Sequence, residues 1–181
     1  MGRQSHENVP LTPVMALNTS KGRRMSQFPE AGAKAPAFSL ARDGGGTVAL
    51  KDFKGRKLVL YFYPKANTTG CTKEAIAFNG LKAAFAAADT DILGVSADAV
   101  SAQDKFKAKY DLAFPLGSDP DKAMLEAYGV WVEKSMYGRK YMGIERATLL
   151  IGRDGKVART WPKVKVAGHA EEVLKAAQEL G

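Results

Sequence analysis

The chain has 181 residues, 45% of them hydrophobic and 25% charged, with a net charge of +8 and a pI near 9.5. That is the composition of a soluble globular domain with a real core, and no apolar run approaches the ~18 residues of a membrane span. Its single cysteine, Cys71, excludes a disulfide framework and suits a reducing compartment such as the cytoplasm, and two histidines beside it do not make a four-ligand zinc site of the usual kind.

Residues 1–27 show no sustained period and read as a disordered extension. Within them, "VPLTPVMAL" is too short and too broken by proline to serve as a signal-peptide core, and Met25 stands as an alternative start. From Phe28 to the end the pattern is orderly and reads as one domain, residues 28–181. "FSLARDGGGTVAL" reads as two short strands around a glycine turn. Gly44-Gly45-Gly46 lies inside this hairpin rather than between a strand and a helix, so a turn is the better reading than a phosphate cradle. "KLVLYFYP" is a near-continuous apolar strand of the fully buried kind.

A helix is expected from about Thr72 to Ala88, with Phe78, Leu81, Phe85 and Ala88 on one stripe. "DILGVSAD" is the next strand. Ser101 opens a further helix with a box-like Asp104 three residues on, and Phe106 and Tyr110 share its face. "PLGSD" is a strand end, and Asp119 is expected to cap a helix from Pro120 to about Gly129.

A loop then runs to about Glu145. It contains "WVEKSMYGRKYMG", the densest mixture of basic and aromatic residues in the chain. That mixture is a faint nucleic-acid signal, and a solvated basic face accounts for it as well. The charge is scattered: +3 falls in residues 1–24, where Arg3, Lys21, Arg23 and Arg24 face Glu7, and +5 in the rest. "ATLLIGRDGKVARTW" reads as a hairpin turning at Asp154-Gly155, and "HAEEVLKAAQEL" as a closing amphipathic helix with glutamates in its first turn. Strands alternating with helices imply parallel pairing and the hairpins add antiparallel strands, so the fold class is α/β, a mixed sheet covered by helices.

Cys71 sits at a strand-to-helix junction, at or just before the first turn of its helix, where free N–H groups and the dipole favour an anion. Helical geometry puts Cys71, Ala75, Phe78 and Phe85 on one stripe, which turns the sulfur partly inward. Its neighbours Asn67, Thr68, Thr69, Gly70 and Thr72 are small and polar, unlike a core position, and two of the hydroxyls are placed to hydrogen-bond an incoming oxygen. Against a reactive thiol stands the ordinary reading of a lone cysteine as a small buried hydrophobe.

"PKANTTGCTKEA" resembles the peroxidatic motif of the peroxiredoxins, Pro-x-x-x-Thr-x-x-Cys, matched by Pro64, Thr68 and Cys71. "GVSAD", "FPLGSD", "AYGV" and "ERATLLIGRDGKV" are similar to the bacterioferritin comigratory protein (peroxiredoxin Q) branch, so the resemblance covers about residues 28–181. It implies a thioredoxin-like fold with an N-terminal β-hairpin extension. It also implies an antioxidant thiol peroxidase serving cell redox homeostasis, which reduces hydroperoxides with no metal, haem or flavin. Carried over residue by residue, Cys71 is the nucleophile and Thr68 orients the peroxide. Pro64 shields the site from water, and Arg146, in "GIERATLLI", completes the pocket.

The sequence departs from that branch in lacking a second, resolving cysteine. The two places where the branch carries one hold Ile76 and Lys107. A one-cysteine cycle follows, in which an external thiol (thioredoxin, glutaredoxin or glutathione) reduces the sulfenic acid. Thr69 stands where a proline is common, which predicts a less rigid loop. A monomer or weak homodimer is expected. A redox sensor or chaperone-like binding protein on the same fold is the rival reading, and such a protein would not need the Pro64, Thr68 and Arg146 set. A disulfide oxidoreductase is disfavoured because no Cys-x-x-Cys exists. His169 offers a Cys/His pairing, but its place after Gly168 at a helix start reads as a capping region.

Overall fold

The computed structural model describes residues 27–181; residues 1–26, where the sequence reading puts the disordered extension, lie outside the described residues. The elements follow in the order β1 (Ser39–Arg42), β2 (Thr47–Ala49), β3 (Lys57–Phe62), α1 (Thr69–Gly80), α2 (Lys82–Ala87), β4 (Thr90–Ser96), α3 (Val100–Tyr110), β5 (Leu116–Ser118), α4 (Ala123–Ala127), β6 (Trp131–Met136), β7 (Arg139–Ile144), β8 (Ala147–Ile151), β9 (Val157–Trp161) and α5 (His169–Glu179).

Seven strands form one sheet in the order β2-β1-β5-β4-β3-β8-β9. The helical crossovers make β3–β4 and β4–β5 parallel, while the hairpins β1–β2 and β8–β9 and the β3–β8 pair are antiparallel. This is the mixed thioredoxin-like sheet, with the N-terminal hairpin added at one edge. All six β3 residues are buried, and from Leu58 to Phe62 the run is apolar without a break, as a strand covered on both faces requires. Leu58, Leu60 and Phe62 face one core cluster with α4, and Val59 and Tyr61 face the other with α1, α2, α3 and α5. Where Tyr61 crosses its β4 partner only glycine fits: a Cβ on Gly94 would lie 2.8 Å from the Tyr61 Cζ.

The long helix expected over Thr72–Ala88 starts three residues earlier and breaks at Leu81, whose φ of −102° and ψ of 5° leave the helical range. Phe78 and Phe85 are buried on either side of that break and Leu81 is half-buried, so the stripe survives. The Ser101 box does not form. The helix starts at Val100 without a side-chain cap, and Asp104 instead accepts the Gly44 N–H at 2.7 Å, fixing the glycine turn. Asp119 does act as a helix-end acceptor, taking the Leu125 N–H at 2.9 Å. The helix it serves is only Ala123–Ala127, because Lys122 adopts a left-handed φ of 62°.

The largest departure is the stretch expected as loop. Its basic and aromatic residues form a free-standing antiparallel ribbon, β6–β7, turning at Tyr137-Gly138, where both residues have positive φ. Tyr137 is 98% exposed, and Met136, Tyr141 and Met142 are exposed with it.

Candidate active site

The chain enters the site from the end of β3, through a loop that is tied down at each step. The Asp98 carboxylate at the end of β4 accepts the Ala66 N–H at 2.8 Å and the Ser96 hydroxyl at 2.6 Å. Gln103 on α3, buried, donates to Ser96 Oγ and accepts from the Tyr63 hydroxyl, so the loop is anchored to β4 and α3 by a connected polar network. Asn67 takes a left-handed φ of 61°, a conformation asparagine tolerates, and its Oδ1 accepts from the Tyr110 hydroxyl at 3.0 Å.

Thr68 is the N-cap residue of α1: its carbonyl accepts the Thr72 N–H at 2.9 Å. Its hydroxyl does not cap the helix but donates to the Lys65 carbonyl at 2.7 Å. No side chain caps α1, and its first turn holds no acidic residue. The leading N–H groups, whose carbonyl partners would precede the helix, stay free for an anion.

Cys71 lies in that first turn and is 1% exposed, packed with Ala75, Phe78 and Tyr61. Its small polar neighbours suggested otherwise. They are exposed or half-buried along the loop while the sulfur points from the helix into the core. Arg146 reaches it from the turn between β7 and β8: Nη2 donates to Cys71 Sγ at 3.3 Å, and Nη1 donates to Glu74 Oε1 at 2.9 Å. Gly70 permits this approach, since a Cβ there would stand 3.1 Å from Arg146 Nη2.

Glu74 and Gly70 are the residues of this arrangement that the sequence reading missed. Glu74 follows Cys71 by three positions, on the same side of the helix, and a glutamate on a stripe shared with Ala75 and Phe78 is the signal that marks it. It is 1% exposed, and its Oε2 has no partner. Burial pushes its carboxyl up to about 7, against the pull of the Arg146 charge and hydrogen bond. For Arg146 burial works against the cation, but Glu74 and Cys71 outweigh it and hold the guanidinium above its ordinary value. One guanidinium thus serves two acidic groups on successive turns of α1.

Pro64 is exposed and forms one wall of an open cleft between the loop and the β6–β7 ribbon. His169 is not part of this arrangement. It is buried in α5 with its Nε2 hydrogen-bonded to Thr148 Oγ1 at 2.8 Å, between the rings of Phe78 and Trp161. Burial holds its imidazole down to about 4, helped by the Arg146 charge and opposed by Glu172 and Glu171. Ile76 lies on the exposed side of α1, and Lys107 is committed to an ion pair with buried Asp43 at 2.7 Å.

A mixed sheet of this order, with a cysteine beneath an arginine at a helix N-terminus, defines a class, the proteins of thioredoxin-like fold. The AhpC/TSA family profile matches residues 31–160. The putative peroxiredoxin bcp of Coxiella burnetii is 50% identical over 145 residues, covering 80% of this chain and 96% of that protein. A solved structure of peroxiredoxin Q from Xanthomonas campestris superposes with a TM-score of 0.78 at 46% identity, over 82% of this chain and 97% of that one. A second structure from that organism, of a bacterioferritin comigratory protein described for its alkyl peroxide reduction activity, has a TM-score of 0.78 at 45% identity and covers 83% and 98%. The chain belongs to the AhpC/TSA family, in its Bcp or peroxiredoxin Q branch, and is a peroxiredoxin.

Proposed function

We propose that Cys71 is the peroxidatic nucleophile of a one-cysteine thiol peroxidase acting on hydrogen peroxide and organic hydroperoxides. The Cys71 thiolate attacks one peroxide oxygen, the O–O bond breaks, and the leaving oxygen departs as water or alcohol after taking a proton. Charge develops on that oxygen, and Arg146 with the uncapped N–H groups of α1 is placed to receive it. Thr68 spends its hydroxyl proton on Lys65, so it acts through its lone pairs, accepting the peroxide O–H and orienting the substrate. Pro64 keeps bulk water from the loop side.

The sulfenic acid left on Cys71 finds no second cysteine in the chain. An external thiol therefore condenses with it to a mixed disulfide and water, and a second thiol releases Cys71 reduced. A reduced lone cysteine supports a cytoplasmic enzyme of redox homeostasis, and among the described residues no helix is long and apolar enough to cross a membrane.

The hydrogen bond from Arg146 to Cys71 Sγ is the observation that carries this reading. Time-resolved intact mass after one equivalent of hydrogen peroxide tests it. A gain of one oxygen far faster than free cysteine shows is expected, with no gain in Cys71→Ser. A rate no higher than that of free cysteine would leave a sensor on the same fold.

A further inference from the structure

The β6–β7 ribbon and the Pro64 loop enclose a cleft of about 370 Å³, within the range of small-molecule sites. Its charged side chains are Lys65 on the loop, Lys134 on β6 and Asp98 at the end of β4. Neither lysine forms an ion pair among the described residues. Asp98 holds the loop through Oδ2, and its Oδ1 takes no hydrogen bond among the described residues. Pro64, Trp131 and Met142 supply apolar wall. The cleft borders the segments that carry the site: Pro64 opens the loop that leads into α1, and Ile144, also in the lining, stands two residues before Arg146.

Two unpaired ammonium groups and one carboxylate oxygen are the charge complement of a small peptide that carries two carboxylates and one ammonium. Building on the one-cysteine peroxidase reading, we propose that this cleft binds the reductant, a peptide thiol of the glutathione class, and presents its sulfur to oxidised Cys71. Lys65 and Lys134 hold the two carboxylates, and Asp98 Oδ1 takes the ammonium. The apolar wall lies along the peptide backbone.

The first thiol forms an S–S bond to Cys71 as the sulfenic oxygen leaves as water. The second attacks the bound thiol's sulfur, giving a small disulfide and the Cys71 thiol. A Cys71 sulfur only 1% exposed favours a slender thiol over a protein surface as the first to reach it.

The direct test titrates reduced, full-length protein with S-methylglutathione, which cannot react at sulfur, and reads binding by calorimetry. Saturable binding is expected, weakened about three- to fivefold by Lys65→Ala or Lys134→Ala and about tenfold by the pair, the scale of exposed ion pairs. The diethyl ester of the same ligand, which lacks both carboxylates, is expected to bind no better to the wild type than the acid binds to the double variant. In stopped flow, reduction of the Cys71 sulfenic acid should saturate with glutathione and rise linearly with 2-mercaptoethanol.

Equal binding by wild type and double variant, or no binding at millimolar ligand, overturns the proposal. So does resolution that proceeds at the same rate with glutathione and its diester, or that saturates only with a dithiol protein and is not inhibited by S-methylglutathione. The peroxidase reading fails by a different signal, slow oxygen gain at Cys71, which leaves the binding isotherm untouched.

Discussion

Glu74→Gln isolates the cost of keeping a carboxyl group under Arg146. The group titrates at about 7 in the folded protein against an ordinary 4.5. A folded state that holds the proton more tightly than the unfolded chain loses stability as pH rises between those values, by about 1.4 kcal/mol per pH unit and about 3 kcal/mol in all. His169 works in the opposite sense. Its imidazole titrates at about 4 instead of 6.5, so the folded state resists that proton and gains stability as pH rises through the same window. The two slopes oppose each other below pH 6.5, and the wild-type profile should be nearly flat there.

The amide introduced by Glu74→Gln keeps an acceptor for Arg146 Nη1 but has no titration. The variant should therefore show the His169 slope alone, stability climbing by roughly 1 kcal/mol per pH unit from about pH 5 to about pH 6.5. Urea unfolding of the reduced proteins across that range reads the difference directly. The absolute stability of the variant is a poorer guide, because its amide N–H₂ falls where Glu74 Oε2 already lacks a partner. Parallel profiles for wild type and variant would refute the reasoning, since they would mean that Glu74 is ionised throughout.

Arg146→Ala should slow oxygen gain at Cys71 by about 10²–10³-fold, the loss seen when one preorganised donor is removed. Without the Arg146 charge and hydrogen bond the Glu74 carboxyl should rise further, so the variant should keep losing stability as pH rises past 7, where the wild type levels off; an Arg146→Lys enzyme with full rate would argue that charge alone suffices. Thr69→Pro should stabilise the protein by about 0.4–1 kcal/mol in thermal unfolding. Thr69 is the first residue of α1, where proline loses no hydrogen bond, and Thr68 already has the extended φ of −93° and ψ of 159° that a following proline demands. Gly94→Ala should destabilise by about 1–3 kcal/mol in urea, because its methyl group meets the buried Tyr61 ring at 2.8 Å.

The sheet was legible because its strands announce themselves in two ways, the unbroken apolar run of β3 and the Asp154-Gly155 turn of β8–β9. The ribbon was not. "WVEKSMYGRKYM" alternates weakly, its two faces are both partly solvated, and the turn at Tyr137-Gly138 lacks the asparagine or aspartate that usually marks such a hairpin. The break at Leu81 was hidden because Phe78 and Phe85 keep helical spacing across it. Cys71 stood out as a lone thiol at a strand-to-helix junction, whereas Thr68, Pro64 and Arg146 could be picked out only through the family resemblance, and the structure brings Arg146 onto Cys71 across 75 residues of chain. Glu74 and Gly70 carry no such label. They act on Arg146, a partner distant in sequence, and local reading weighs a residue against its neighbours.

The burial of Cys71 and the reactivity proposed for it are compatible only because of how α1 begins. A thiol 1% exposed in an apolar shell is ordinarily inert. Here the shell is broken on one side by the Arg146 guanidinium and on another by helix N–H groups that no side chain has claimed, Thr68 having turned its hydroxyl to Lys65. Both present hydrogen-bond donors that fit an oxyanion. A second cysteine at Ile76 would lie about 140° around the helix from Cys71, on the exposed side, and reaching it would mean unwinding this first turn. With Ile76 and Lys107 in those places the chain never has to take that turn apart to meet a partner of its own. Rigidity at Thr68–Cys71 is then free to serve the peroxide step, and Thr69→Pro, which removes only the first of the free N–H groups, should leave turnover with a small thiol largely intact.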